Sequence, residues 1–194
     1  MSTHRVPWTH GKWTTPPMES QEEGGRLLVT AREGSDAWRE TYYGFVHDDE
    51  HALLTDWARD EAVEVSFTAR FEAQFDQAGI LVRASDRHWV KTGVEFSDGA
   101  PQLGAVVTDG RSDWSVAPVP EWLDREVTLR VSRVRDSLII RARVDDDAPR
   151  LVRVVPMDVD LPLQAGPYCC SPTRSGLTVE FHEWRLTEPD GGLH

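Results

Sequence analysis

Hydrophobic and polar residues alternate along most of the chain with a period of two, which predicts β-strands that bury one face. The alternation is clearest in residues 61–71, where Val63, Val65 and Phe67 share one side of the predicted strand. Similar stretches recur as far as Leu186, separated by turn signals every ~8–12 residues. About a dozen short strands with almost no helical periodicity are typical of an all-β sandwich.

Two of these strands form a predicted hairpin between Gln74 and Phe96, with a three-residue turn at 85–87. One face of this hairpin is apolar and carries the side chains of Ala78, Ile80, Val82, Val90, Val94 and Phe96. The opposite face carries two paired glycines together with polar and aromatic groups, namely Gly79, Gly93, Gln77, Arg83, Trp89, Lys91 and Glu95. Because a one-residue slip would bury Lys91 and Glu95, the pattern fixes the register of the two strands.

The paired glycines predict bare backbone in the middle of the sheet, where another group can approach closely. We interpret the surrounding polar face as a shallow binding floor within a concave cleft. The alternative is a solvated face with two glycines at bulges. A second predicted hairpin, about Asp109-Gly110-Arg111, pairs Val106 with Trp114 and adds Trp114 to the same face, with Glu95 beside Gly104.

Residues 34–51 are rich in aromatic side chains and show no helical periodicity. They contain Trp38, Tyr42, Tyr43 and Phe45. Long ordered loops often carry function, and this one is expected either to contribute to a site or to pack over the sandwich. Residues 1–25 are predicted to be irregular and to wrap a sheet edge.

The composition limits the kinds of partner and the cellular compartment that we expect for this protein. The net charge of -12 argues against nucleic acid and anionic membranes as partners and is compatible with a neutral ligand such as a sugar. No apolar run approaches the ~20 residues of a membrane-spanning helix, and the first residues show no apolar signal segment. The two cysteines, Cys169 and Cys170, are adjacent and offer no disulfide framework. We therefore expect a cytoplasmic protein.

No metal site and no cofactor are predicted. The turn at 145–147 has three aspartates but lacks the glycine and the distal glutamate of an EF-hand loop. His47 and His51 have helical spacing but lie in the aromatic loop, where a surface role is expected.

Five ordered blocks of the sequence resemble the concanavalin A-like family named for a yeast regulator of enolase, which is a family of domains of unknown function. These blocks are GSDAWRETYYGF, FDQAGILVR, HWVKTGVEFSDG, VVTDGRSDWS and CSPTRSGLTVEF. The resemblance extends over residues 8–187 and implies a jelly-roll sandwich of two antiparallel sheets, one of them concave. Lectins and glucanases belong to the wider superfamily. We accordingly expect a single concanavalin A-like domain over residues 1–190, with 188–194 as a flexible tail.

The family's polar blocks fall in this sequence on Asp36, Trp38, Tyr43, Asp76, Gln77, Trp89, Lys91, Glu95, Ser112, Asp113 and Trp114. Some of these residues are expected to be structural. Asp76 stands at the entry to a strand, where a capping or turn role is the simplest use of its carboxylate. Asp113 is expected to bond neighbouring backbone in the same way.

Three functions follow as hypotheses. The first is carbohydrate binding, with a predicted ligand-binding set of Trp38, Tyr43, Gln77, Trp89, Lys91, Glu95 and Trp114. The second is a glycoside-active hydrolase or lyase, with Glu95 and Lys91 as the candidate catalytic residues. A hydrolase needs a second carboxylate, which must come from residues 34–51, because the glucanase pattern E-x-D-x-x-E is absent. The third is a regulatory domain that binds a protein partner.

Overall fold

Two large antiparallel sheets make up the fold in the computed structural model, which describes residues 3–158 and 160–193. The strands in these ranges are β1 His4–Arg5, β2 Lys12–Trp13, β3 Glu19–Glu23, β4 Arg26–Thr30, β5 Ala37–Arg39, β6 Val46–Asp48, β7 His51–Trp57, β8 Ala62–Ala69, β9 Gln77–Ser85, β10 His88–Ser97, β11 Ala100–Asp109, β12 Arg111–Pro118, β13 Val127–Val134, β14 Ser137–Val144, β15 Arg150–Pro156, β16 Leu163–Cys170 and β17 Thr178–Thr187. Two 3-10 helices of one turn each lie at Trp8–His10 and Pro120–Trp122.

The first sheet has the strand order β15-β14-β13-β8-β17-β4-β3, and β1 also pairs with β17. The second sheet has the order β12-β11-β10-β9-β16-β7-β2. Strands β5 and β6 form a separate hairpin. Strands distant in sequence also pair, as β9 does with β16 and β8 with β17. The predicted all-β sandwich of two antiparallel sheets is confirmed.

The core lies between the two sheets and is built from the alternating apolar positions. Val63, Val65 and Phe67 of β8 are at most 1% exposed, as are Ile80 and Val90 of the second sheet. Fully burying a side chain of this kind contributes roughly 1.5–3 kcal/mol. Because successive residues of a strand point to opposite faces, this burial forces the intervening residues of β9 and β10 onto the outer face of the second sheet.

The predicted pairing of β9 with β10 is confirmed. Gln77 lies opposite Glu95, Gly79 opposite Gly93, and Leu81 opposite Lys91. The connecting loop has two residues, 86–87, and not the three predicted. A bulge between His88 and Trp89 takes up the extra residue, so the register is the same.

The pairing of β10 with β11 corrects one expectation. Val106 lies opposite Trp114, as predicted. However, Glu95 lies opposite Gln102, and Gly104 lies opposite Gly93. Gly104 therefore extends the predicted glycine pair to a row of three across β9, β10 and β11.

The β5–β6 hairpin covers part of the outer face of the second sheet and positions the site described below. Together with that face it forms a second apolar cluster, which contains Ala37, Trp38, Ala52, Leu54, Leu81, Trp89, Val106, Tyr168 and Cys170. The sequence predicted this region as a loop. Residues 1–25 were likewise predicted to be irregular, whereas the described part of them contains three short strands, with β3 at the edge of the first sheet.

The segment after β17 contacts the outer face of the first sheet through Asp190. Its carboxylate accepts hydrogen bonds from Arg130 Nε at 2.8 Å and from Arg141 Nε at 2.7 Å. Its N–H donates to Ser132 Oγ at 3.1 Å. The flexible tail at 188–194 and the single domain at 1–190 stay predictions, and His194 lies outside the described residues.

No helix within the described ranges is long and apolar enough to cross a membrane.

Candidate functional site

A cavity of about 330 Å³ lies between the β5–β6 hairpin and the outer face of the second sheet. Three polar residues, Asp36, Lys91 and Glu95, line its base, which we call the polar floor. Aromatic side chains form its walls: Trp38, Tyr43 and Phe45 from the hairpin region, Trp114 from β12, and Phe75. The alternation of β10 places Lys91 and Glu95 on this face, because Val90 and Val94 are buried in the core.

The polar floor is organised by a buried ion pair between Lys91 and Asp36. Lys91 Nζ donates to Asp36 Oδ1 at 2.8 Å and to Gln77 Oε1 at 2.8 Å. The Gln77 amide in turn donates to Asp36 Oδ1 at 3.2 Å and to the carbonyl oxygen of Phe75 at 3.1 Å. Asp36 Oδ1 also accepts the N–H of Ala37 at 2.7 Å. These bonds attach the start of the β5–β6 hairpin to the sheet.

The ion pair determines the charge state of Lys91, whose side chain is only 4% exposed. Burial alone would lower the pKa of Lys91. The negative charge of Asp36, with smaller contributions from Cys170 and Glu95, offsets the burial and raises the pKa above the ordinary lysine value. Lys91 is therefore a cation that is neutralised within the protein. Lys91 was predicted to bind ligand, and in the structure its charge is already paired with Asp36.

Glu95 differs from Asp36 because its carboxyl group has no partner for one oxygen. Glu95 Oε1 is fully buried and makes no hydrogen bond in the structure. Burial raises the pKa of Glu95 to about 7; Lys91 opposes this increase and Asp36 adds to it. Near neutral pH this carboxyl is therefore able to donate or to accept a hydrogen bond.

The aromatic walls are held by contacts among themselves. Trp38 and Trp114 are nearly perpendicular, with ring planes at 88° and centroids 6.4 Å apart. Tyr43 meets the edge of Trp38 at 5.8 Å and stacks on Phe45 at 5.1 Å. Trp38 Nε1 donates to the carbonyl oxygen of Thr41 at 2.9 Å. The walls thus present flat apolar faces above the polar floor.

The tip of the β5–β6 hairpin has an unusual backbone. Glu40 and Tyr42 have φ angles of 61° and 63°, in the left-handed region that non-glycine residues seldom adopt. The turn is closed by hydrogen bonds from the N–H of Glu40 to Phe45 and from the N–H of Gly44 to Glu40, both at 2.7 Å. Backbone strain of this kind concentrates at functional sites. This turn carries Tyr43 and Phe45, which line the cavity.

The row of glycines has a different role from the one predicted. A β-carbon on Gly79 would lie 2.0 Å from the carbonyl oxygen of Thr92, and one on Gly93 would lie 2.1 Å from that of Ala78. Gly104 has a similar conflict with the carbonyl oxygen of Ser115. The glycines are therefore required by the main chain of the neighbouring strands, and the space that Gly93 and Gly104 line with Tyr168 is only about 10 Å³. The large cavity lies beside this row, over Asp36, Lys91 and Glu95.

Comparison with known proteins places the chain in a family. The model of the family described as "Protein of unknown function (DUF1349)" matches residues 13–189. The chain belongs to the DUF1349 family. The predicted resemblance is confirmed, since the chain is 39% identical over 187 residues to "Regulation of enolase protein 1" of Saccharomyces cerevisiae, covering 96% of this chain and 94% of the yeast protein.

Solved structures share the fold of this DUF1349 protein. A functionally unknown protein from Saccharomyces cerevisiae superposes with a TM-score of 0.89 at 38% identity, over 96% of this chain and all of that one. A xylan beta-1,4-xylosidase from Bacillus halodurans C-125 gives 0.68 at 16% identity, over 87% of this chain and 34% of the enzyme. Lectin I-B4 from Griffonia simplicifolia gives 0.58 at 12% identity, over 96% and 99%. The last two show the jelly-roll fold alone.

The structure brings five of the seven predicted ligand-binding residues of this DUF1349 protein to the cavity, namely Trp38, Tyr43, Lys91, Glu95 and Trp114. Gln77 is 1% exposed and supports Lys91 from below. Trp89 packs in the apolar cluster beneath the hairpin and does not line the cavity.

The prediction omitted several lining residues, including Phe45, His47, Phe75 and Thr173. Asp36 was named from the family's polar blocks but not as a site residue, although it holds Lys91. Its signal was its position in the aromatic block from Gly34 to Phe45. Thr173 lies in the block CSPTRSGLTVEF but was not singled out there; it reaches the cavity from the segment after β16.

Other residues of the polar blocks are structural. Asp76 is fully buried, and its Oδ2 accepts the N–H groups of Glu72 and Ala73 at 3.0 and 3.1 Å and Arg174 Nε at 2.8 Å. This confirms the predicted turn role. Ser112 Oγ accepts the N–H of Arg39 at 2.9 Å and thereby holds the β5–β6 hairpin on β12.

The two histidines considered in the sequence analysis, His47 and His51, lie in different environments. His51 is fully buried, its Nε2 accepts the N–H of Arg32 at 3.0 Å, and burial lowers its pKa. The surface role predicted for His51 is therefore wrong. His47 lines the cavity, with Nδ1 3.6 Å from Asp49 Oδ1. Among the residues that the structure describes, no three His, Cys, Asp or Glu side chains are grouped as ligands for a metal ion.

Proposed function

We propose that the cavity binds a carbohydrate or a sugar-derived ligand. The observation that supports this most strongly is the combination of flat aromatic walls with a polar floor in one cavity of about 330 Å³. Ligand pockets are commonly lined by apolar and aromatic groups with a few well-placed polar groups that fix orientation. A sugar ring has apolar C–H faces that suit the rings of Trp38, Tyr43 and Trp114, and hydroxyl groups that suit the floor.

The floor offers specific partners to such a ligand. A lysine ammonium has three N–H donors, and two of those of Lys91 point to Asp36 and Gln77. The third is available to a ligand hydroxyl oxygen. The carboxyl group of Glu95 also lines the cavity and can bond a second hydroxyl. The intramolecular bonds of Lys91 fix its position before the ligand arrives, which lowers the entropic cost of binding.

Glycoside chemistry is the second candidate, and Glu95 favours it. A carboxyl group with a pKa of about 7 is suited to general acid or base catalysis near neutral pH. A glycosidase needs a second carboxylate, either as nucleophile or as base. Among the cavity-lining residues in the described part of the chain, that group is Asp36, whose Oδ1 already binds Lys91, Gln77 and Ala37. The geometry therefore supports binding better than hydrolysis.

Titration calorimetry against a panel of monosaccharides and short oligosaccharides tests the proposal, with tryptophan fluorescence as a second readout. Tyr43→Ala removes a wall of the cavity and is expected to weaken binding at least about tenfold, a loss of roughly 1.4 kcal/mol. Tyr42→Ala is the matched control, because Tyr42 is 92% exposed and does not line this cavity, while its ring contacts the edge of Tyr43 and so reports any indirect effect on that wall. Binding that is insensitive to Tyr43→Ala, or no binding across the panel, would overturn the proposal. Release of product from any panel member would favour the enzyme.

A further inference from the structure

The polar floor contains one carboxyl group whose charge is not balanced. Asp36 is neutralised by Lys91 at 2.8 Å. Tyr168 and Cys170 are buried below the floor, and burial raises the pKa of each well above its ordinary value, so both remain neutral near pH 7. Glu95 has a buried oxygen without a donor. When Glu95 is ionised, the floor carries one net negative charge that faces the cavity.

We infer that the ligand places a protonated amine against Glu95, so that the preferred class of ligand is an amino sugar. This inference rests on the proposed function, because it specifies one substituent of a ligand that occupies the same cavity. The amine supplies the positive charge that the floor lacks and an N–H donor to the carboxylate of Glu95, which lines the cavity.

A hydroxyl group satisfies the carboxyl less completely. It donates a hydrogen bond but leaves the buried charge in place, whereas hydrogen bonds between two ionised groups are shorter and stronger. An acidic sugar fits worst, because its carboxylate would lie near Glu95 while Lys91 is already neutralised by Asp36.

The walls also tolerate a cation. The faces of tryptophan and tyrosine rings attract an ammonium group within about 6 Å, and Trp38, Tyr43 and Trp114 surround the cavity above the floor. The net charge of -12 further favours the approach of a positive ligand.

Binding of an amine is expected to release a proton from the protein. The charged and titratable groups of the cavity are Glu95, Lys91, Asp36 and His47. Without ligand, the pKa of Glu95 is about 7, so below that pH the carboxyl is mostly protonated. A bound ammonium lowers this pKa, and Glu95 then releases its proton to solvent. A neutral sugar causes no such release.

The experiment is titration of glucose, glucosamine and N-acetylglucosamine at pH 6.5, in two buffers that differ in ionisation enthalpy. Glucosamine is expected to bind at least about tenfold more tightly than the other two, the lower end of the range for a hydrogen bond to a charged group. Its binding is expected to release protons. Glu95→Gln should abolish both the preference and the release. Asp86→Asn is the matched control: it removes the same charge from the exposed end of the same hairpin, where the Asp86 side chain is 77% exposed. The affinity of the Asp86→Asn variant for glucosamine should equal that of the wild type.

The outcomes separate this inference from the proposed function. Equal affinities for the three sugars would overturn the inference that the ligand carries an amine, and would leave carbohydrate binding supported. Binding of tetramethylammonium with no binding of any sugar would overturn carbohydrate binding and support a cationic ligand. A glucosamine preference that persists in folded Glu95→Gln, with its fold checked by circular dichroism, would overturn the role of Glu95.

Discussion

Replacing Lys91 with methionine should destabilise the protein by about 3 kcal/mol, because the change leaves the carboxylate of Asp36 without its buried cation. Removing one partner of a buried ion pair costs roughly 3–5 kcal/mol. Asp36 Oδ1 would keep the N–H of Ala37 at 2.7 Å and the Gln77 amide at 3.2 Å. Its side chain is also 18% exposed, so water can reach it, and both facts favour the lower end of the range. Methionine keeps the unbranched apolar stem and limits the loss of packing.

Urea unfolding followed by tryptophan fluorescence measures this effect. A lower midpoint with an unchanged slope is expected, since a change in slope would indicate a different unfolded or native state. The chain provides a matched control in its other lysine. Lys12 is exposed on β2, and Lys12→Met should change stability by no more than about 0.5 kcal/mol.

A double-mutant cycle isolates the pair. Asp36→Asn and Lys91→Met should be coupled by about 1–3 kcal/mol, so that the double variant is more stable than the sum of the single changes predicts. The reasoning is refuted if Lys91→Met costs less than about 1 kcal/mol, or if the two changes are additive within about 0.5 kcal/mol. Either result would mean that Lys91 is effectively solvated in the folded protein.

Two further predictions concern the floor and the glycine row. The pKa of Glu95 is raised from 4.5 to about 7 on folding, so the wild type loses stability as the pH rises between these values. Glu95→Gln should therefore change stability little at pH 5 and increase it by at most about 3 kcal/mol at pH 8, measured by urea unfolding; equal stabilities at both pH values would contradict this. Gly93→Ala should destabilise by more than about 3 kcal/mol or prevent folding, because its β-carbon meets the main chain at 2.1 Å. Gly191→Ala, which has open space around its β-carbon, is the control, and circular dichroism with thermal unfolding compares the two.

Much of the fold was readable from the sequence because the signal is local. In β8 to β11 each residue faces either the core or the outside, and the alternation fixes both the strands and their register. The edge strands lack this signal. All five residues of β3 are exposed, so Glu19–Glu23 has no apolar face to reveal it. The strands of the β5–β6 hairpin have three residues each, too few for a period to be recognised.

The candidate site was predictable only in part, for a related reason. The period-two alternation of β10 assigned Trp89, Lys91 and Glu95 to one face of the strand. It does not show which of these residues the β5–β6 hairpin covers. Lys91 pairs with Asp36, 55 residues away in sequence, and that contact exists only after the hairpin packs on the sheet. The paired glycines were predicted at the right positions, but their role was interpreted wrongly. They are required because the main chain of the adjacent strands leaves no room for a β-carbon.

The two sides of the cavity differ in how freely they can change. On the sheet side, substitutions at the glycine row collide with backbone, and substitution of Lys91 breaks its buried pair with Asp36 of the hairpin. On the hairpin side, Tyr43 and Phe45 are 49% and 43% exposed, and truncating them leaves the core between the sheets untouched. The lining of the cavity can therefore diversify through the hairpin while the sheet stays constant. For protein engineering, Tyr43 and Phe45 are the positions at which the cavity wall can be varied without changing the core between the sheets.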